Sequence, residues 1–436
     1  MNESLTTGLI AIGVMLSLAA FGVPIAFSIG IIGSIGLYFV GGATFLVASI
    51  QTMPYAVASE YSFAVIPMFV LMGTIAAHTG IISELYNAVN RWTEGVRGGL
   101  LMASTLASAG FAAISGSTIV NAAMFTRIAL PEMAKRNYNM GFSAGAIAAA
   151  GTFAALIPPS LTFVIFGIMT QQSIGKLFMA GILPGILTAG CYLIAIPLIA
   201  KIRPRWVPLS ESRTTLRHKI VGLKGVWPMI VLVFIVLGGI YSGITPPTSA
   251  GAVGAVGAFA IAVLRRRMSG RRLWLSIRET AELTSILFVL IIAGLLFSRF
   301  LVLSGFVSDL TSLVTGSGLS DYGFILLIVL MYFVLGMFVD PLSMLVMTVP
   351  FVFPVIEAYG MHPIWFGVIL CKMIELAVIT PPVGLNLFAV VSASEGRVKL
   401  SEIYVGVLPF VLIEIVVLFI LISFPEISTF LPDQMD

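Results

Sequence analysis

Apolar positions along this chain run on rather than alternate with polar ones. Stretches almost free of charge recur from Leu5 onward, separated by short segments of Gly, Pro, Asn or charged residues. A helix apolar on every side is buried or faces lipid, and a crossing takes about 20 such residues. About eleven to thirteen candidate segments can be marked, some shorter than a full span. The pattern predicts an all-α polytopic membrane protein.

Several apolar stretches are interrupted, and the interruptions come in pairs. Residues 100–130 are broken at Ser115-Gly116-Ser117, and residues 324–353 near Gly336 and Asp340-Pro341. Each piece is about 15 residues, too short for the ~30 Å hydrocarbon core. Two such pieces predict a re-entrant hairpin, whose tip is tolerated only against protein or a water-filled cavity. Residues 144–167 and 364–392 carry Pro158-Pro159 and Pro381-Pro382. Proline removes a backbone donor and clashes with the preceding turn, so each stretch reads as a broken helix.

The pairs belong to an internal repeat. Thr79–Leu85 is echoed by Ser304–Leu310, Ile157–Ser160 by Thr380–Val383, and Gly181–Pro184 by Gly406–Pro409, at offsets of 225, 223 and 225 residues. Two related halves follow, 59–200 and 279–436. Residues 1–58 form N-terminal scaffold helices, and 201–278 hold basic loops around a scaffold helix pair. Thr245-Pro246-Pro247-Thr248 resembles the proline motif, but it falls outside the repeat and reads as a turn between scaffold helices.

Paired discontinuous helices in matching places point to a transporter site. An unwound helix aims several carbonyl oxygens at one point, which suits a hard cation. Gly116, Gly151, Gly336 and Gly384 let backbone approach, while Ser115, Ser117, Thr152, Ser160, Thr380 and Asn386 offer side-chain oxygens. One such place per half implies at least two cation sites, and sodium fits them better than magnesium. Amides freed after each break suit an anionic substrate group. Asp340 is left open between helix capping and ion or proton binding. Lys372 and Glu375, three apart on one helix face, read as a mutually neutralising pair.

Composition agrees with a membrane role: 59% of residues are hydrophobic and 10% charged, with a net charge of +4. No Lys or Arg precedes Arg91, whereas 201–224 hold seven and 265–278 six. Basic short loops stay in the cytoplasm, and two crossings fit between these clusters. They read as topology rather than nucleic-acid binding. Arg127, Glu132, Lys135 and Arg136 read as an interfacial cluster, and the start lacks the basic n-region of a signal peptide. Cys191 and Cys371 fit no metal or redox spacing, nor do His78, His218 and His362. No zinc-protease, phosphate-loop or nucleophile-elbow motif occurs, so an ion gradient is the expected energy source and no enzyme activity or cofactor is expected.

These residues resemble a known family. Phe111–Ser117, Ile157–Ser160, Ile174–Gly185, Gly336–Pro341 and Thr380–Leu387 look like the large membrane subunit of tripartite ATP-independent periplasmic (TRAP) transporters, in the family's order over nearly the whole chain. The resemblance implies an inverted-repeat, elevator-type fold in a bacterial inner membrane. It implies sodium-coupled import of a carboxylate such as a C4-dicarboxylate or sugar acid. It also implies two partners, a periplasmic substrate-binding protein and a separate four-helix small membrane subunit. Carried over by position, Ser115, Gly116 and Ser117 with Gly151, Thr152 and Pro158 would form one sodium site. Gly336, Asp340, Thr380, Pro381, Gly384 and Asn386 would form the other. Substrate would lie between them, against Ser117, Asn121, Pro159, Ser160, Pro382, Val383 and Asn386. Two rival readings stay open: a proton-coupled or exchanging transporter using Asp340 or Glu375, and a non-transporting membrane scaffold.

Overall fold

The computed structural model describes residues 3–208, 219–220, 222, 224–336 and 338–435. Arg213, Arg217, His218 and Met337, all part of the sequence expectations, lie outside these. Helices are the only regular elements among the described residues, which contain no strand. Nine helices among them are long and apolar enough to cross a membrane.

The helices are α1 (Glu3–Ala20), α2 (Ile25–Ser59), α3 (Val65–His78), α4 (Ile81–Thr93), α5 (Gly99–Ser115), α6 (Thr118–Lys135), α7 (Met140–Gly151), α8 (Phe153–Leu156), α9 (Leu161–Thr170) and α10 (Ile174–Ile202). After the basic loop come α11 (Trp227–Tyr241), α12 (Pro247–Leu264), α13 (Gly270–Leu303), α14 (Phe306–Gly316), α15 (Asp321–Leu335), α16 (Pro341–Ala358), α17 (Pro363–Ile379), α18 (Leu385–Ala393) and α19 (Leu400–Ser423). Pro246 leads directly into α12, so the third proline pair lies at the turn between α11 and α12.

Both hairpins are present. Their limbs have 17 and 18 residues in α5 and α6, and 15 and 18 in α15 and α16. At 1.5 Å per residue the limbs measure about 22–27 Å, and each pair turns back at a tip whose glycine, Gly116 or Gly336, is buried. Five crossings separate the hairpins: α7–α9, α10, α11, α12 and α13. An odd number sends the second hairpin in from the opposite face. The helices that open the two repeats agree, because α3 and α13 pack antiparallel. Phe63 meets Phe288 (ring centroids 6.0 Å apart), Thr74 bonds Thr280 at 3.1 Å and His78 meets Glu279 at 2.8 Å. The repeat is inverted.

Charge placement gives the sides. The first hairpin opens beside Arg91, Arg97, Lys135 and Arg136, on the face of the basic loops, the face that the positive-inside rule assigns to the cytoplasm. The second opens within 300–371, a stretch without Lys or Arg.

Small residues set the closest helix crossings. A Cβ on Gly406 of α19 would lie 2.0 Å from the Gly141 carbonyl oxygen of α7, and one on Gly145 would lie 2.5 Å from Gly406 backbone. The matching crossing in the other half places Gly367 of α17 where a Cβ would meet Leu177 and Phe166 at 2.8 Å. The N-terminal region departs from a simple helix pair, because α2 kinks at Gly42 (φ 76°, ψ 176°). Its first part packs on α13, where Gly33 leaves only 2.7 Å between a would-be Cβ and Phe297 N.

Candidate functional site

The first hairpin tip forms because α5 ends in a glycine that a branched residue could not replace. Gly116 has φ 60°, Ser117 is extended, and α6 starts at Thr118 with no side-chain cap. A Cβ on Gly116 would lie 3.3 Å from Pro159 O and 3.4 Å from Leu161 N. The tip therefore rests directly on the proline break of the first broken helix. Ser115 Oγ is buried there without a hydrogen-bond partner. Gly151 backs onto Ala122 of α6, where a Cβ would be 2.7 Å away. Thr152 Oγ1 donates to Ala149 O at 2.7 Å, and Ser160 Oγ caps α9 by accepting from Phe163 N. The peptide bonds Pro158–Pro159 and Pro381–Pro382 are both cis.

The second half repeats the layout with different chemistry. Gly336 presses on Ala377, three residues before Thr380, where a Cβ would be 2.1 Å away. Asp340 caps α16, its Oδ2 accepting from Ser343 N at 3.1 Å. Thr380 Oγ1 donates to Leu376 O at 2.6 Å, and Gly384 takes φ 59° before α18. Asn386 reaches into the other repeat: its Nδ2 donates to Ala148 O at 3.3 Å, and its buried Oδ1 has no partner.

Three of the four interruptions meet around one cavity of about 130 Å³. Its walls include Ser115, Gly116, Ser117 and Thr118 from the first tip, Leu161 and Thr162 from the start of α9, and Asp340, Pro341 and Leu342 from the second tip. Thr74, Ala77 and Glu279 of α3 and α13 close it from outside the hairpins. From the tips it runs along Ile119 and Val120 toward Ala77 and Glu279, near the helix ends on the side of the basic loops. Three helix N-termini (α6, α9 and α16) border it, a setting that favours an anionic group. Carbonyl oxygens at the tips and the free Ser115 Oγ offer ligands for a hard cation.

Not every expected residue borders this cavity. Thr380, Pro381, Pro382, Val383, Gly384 and Asn386 do not line it, and neither do Pro158, Pro159 and Ser160, which support the tip from behind. Asn121 is fully buried inside the first hairpin. Its Oδ1 accepts from Ser108 Oγ at 3.1 Å and its Nδ2 donates to Ser108 O at 3.2 Å, bracing α5 against α6.

The ionic groups hold one surprise. Lys372 pairs with Glu375 at 2.7 Å, as their spacing suggests, but it also contacts Glu414 of α19. Sequence reasoning passed over Glu414, although an ionisable residue in the apolar run 403–423 is itself a signal. It likewise passed over Glu279, which holds His78 at the cavity rim.

Comparisons with known proteins fit this geometry. Residues 12–427 match the family described as tripartite ATP-independent periplasmic transporter, DctM component. The C4-dicarboxylate TRAP transporter large permease protein DctM of Pseudomonas aeruginosa is 34% identical over 391 residues, covering 89% of this chain and 90% of the relative. Its counterpart in Vibrio cholerae is 32% identical, covering 97% and 96%. The crystal structure of the Alcanivorax borkumensis YdaH transporter superposes with a TM-score of 0.62 over 87% of this chain and 89% of its own, at 12% identity, a likeness of fold. The chain is a transport component rather than an enzyme, and it belongs to the DctM family of tripartite ATP-independent periplasmic transporters.

Proposed function

We propose that the chain imports a small organic anion together with sodium across a bacterial inner membrane. The anion is handed over by a periplasmic binding protein, and the chain works beside a small membrane subunit. The observation that carries this reading is the cavity where both hairpin tips meet. Helix N-termini give it a seat for carboxylate, and the buried, unpartnered Ser115 Oγ at the first tip offers an oxygen of the kind sodium needs. Ser115, Gly116, Ser117, Gly151, Thr152 and Pro158 are assigned to one sodium site. Gly336, Asp340, Thr380, Pro381 and Gly384 form the other, with Asn386 bridging the halves. Substrate is assigned to the space between the tips, against Ser117. An inverted repeat whose two hairpins open on opposite faces suits an elevator motion, in which the hairpins and broken helices slide as one body past α1–α4 and α11–α14.

The test is uptake by proteoliposomes holding this chain, its small subunit and the binding protein. C4-dicarboxylates come first in the screen, because the Pseudomonas relative is named for them. Uptake that needs both an inward sodium gradient and the binding protein is the expected result. Uptake driven by a proton gradient without sodium would overturn the sodium assignment.

A further inference from the structure

Three charged side chains meet where water does not reach. Lys372 and Glu375 lie one turn apart on α17, Glu414 comes from α19, and all three are fully buried. Lys372 Nζ lies 2.7 Å from Glu375 Oε2, contacts Glu414 Oε2, and donates to Thr188 Oγ1 of α10 at 3.0 Å. Tyr192 of α10 donates its hydroxyl to Glu414 Oε1. Cys191 on α10 and Cys371 on α17 are the other titratable groups close to the cluster. Two carboxylate oxygens, Glu375 Oε1 and Glu414 Oε2, have no hydrogen-bond partner, and only Glu414 Oε2 has the Lys372 ammonium against it.

One cation thus faces two carboxylates. With all three ionised, the centre of the helix bundle would hold an uncompensated negative charge. Such a charge costs far more in an apolar interior than an acid that stays neutral. A metal ion is a poor counter-ion here, because hard cations need several oxygen ligands. The other three carboxylate oxygens already face Lys372 or Tyr192, and among the described residues no acidic, His or Cys group is arranged for a metal. A proton needs one oxygen.

We propose that Lys372, Glu375 and Glu414 form a proton-binding site, with a single proton held on Glu375 making the cluster neutral. The site ties α10, α17 and α19 together without leaving net charge in the membrane. It is separate from the cavity between the hairpin tips, and it stands whether or not sodium drives transport.

Charge counting gives a test that a simple packing role does not pass. In Glu375→Gln no titratable proton remains, and in Glu414→Gln the remaining carboxylate balances Lys372 and ionises. Infrared difference spectra of the full chain in lipid nanodiscs at neutral pH are compared for wild type against each variant. A protonated-carboxyl band that shifts in heavy water is expected in wild type and should vanish in both. Heating provides the second readout. Each single variant should inactivate within about twofold of the wild-type rate, and the double variant, with Lys372 unbalanced, at least about tenfold faster than either. Absence of the band, or a double variant as robust as the singles, would overturn the proposal.

Discussion

Single residues at the first tip divide into those that hold the backbone and those that offer atoms. Ser115 belongs to the second group: its hydroxyl is buried and bonded to nothing. Ser115→Ala should therefore leave thermal stability within about 0.5 kcal/mol, since no hydrogen bond is lost. If that oxygen ligates sodium, losing it removes about 1.4 kcal/mol, and the half-saturating sodium concentration should rise about tenfold. An unchanged sodium dependence would remove Ser115 from the ligand set. Gly116 behaves oppositely. Its left-handed φ of 60° and the Pro159 carbonyl 3.3 Å from a would-be Cβ both resist a branched side chain. Gly116→Val should cost about 1–2 kcal/mol in backbone strain alone, visible as earlier thermal unfolding together with lost uptake.

Whole elements show how far the chain can be read and where reading stops. The breaks were legible because Pro and Gly inside apolar stretches leave few alternatives, and the Ser115–Ser117 and Pro158–Pro159 interruptions do meet. The register between distant helices was not legible. Nothing local says that Asn386 will bond Ala148 in the other repeat, or that Glu414 will reach Lys372, because such contacts depend on which face each apolar helix buries. Asn121 shows the same limit: the resemblance assigned it to substrate, and its amide bonds Ser108. The α7–α19 crossing was also hidden, since glycine is frequent throughout the sequence. That crossing makes its own prediction. Gly406→Val forces atoms into the space held by the Gly141 carbonyl and should cost at least about 1–3 kcal/mol. Gly13→Ala, on α1 with nothing within 4 Å of its would-be Cβ, should be silent. Equal melting temperatures for the two variants in detergent would show that the crossing is looser than the structure has it.

At the scale of the whole molecule, the inverted repeat makes a statement about access. The two tips share one cavity on the side of the basic loops, although the hairpins that carry them open on opposite faces. In this arrangement Val120 borders the route toward the cytoplasmic end and Leu342 sits at the deeper tip. An alternating mechanism therefore predicts opposite labelling. In a Cys191→Ser background, with fully buried Cys371 retained, Val120→Cys should react with a membrane-impermeant thiol reagent from the cytoplasmic side only. Leu342→Cys should become reactive from the other side when the outward state is favoured, with Val120→Cys protected under the same condition. In the proposed elevator one moving body carries both hairpins, so protection and exposure must change together. Simultaneous labelling of both positions from both faces would mean a continuous aqueous path, and the chain would then be a channel rather than a carrier.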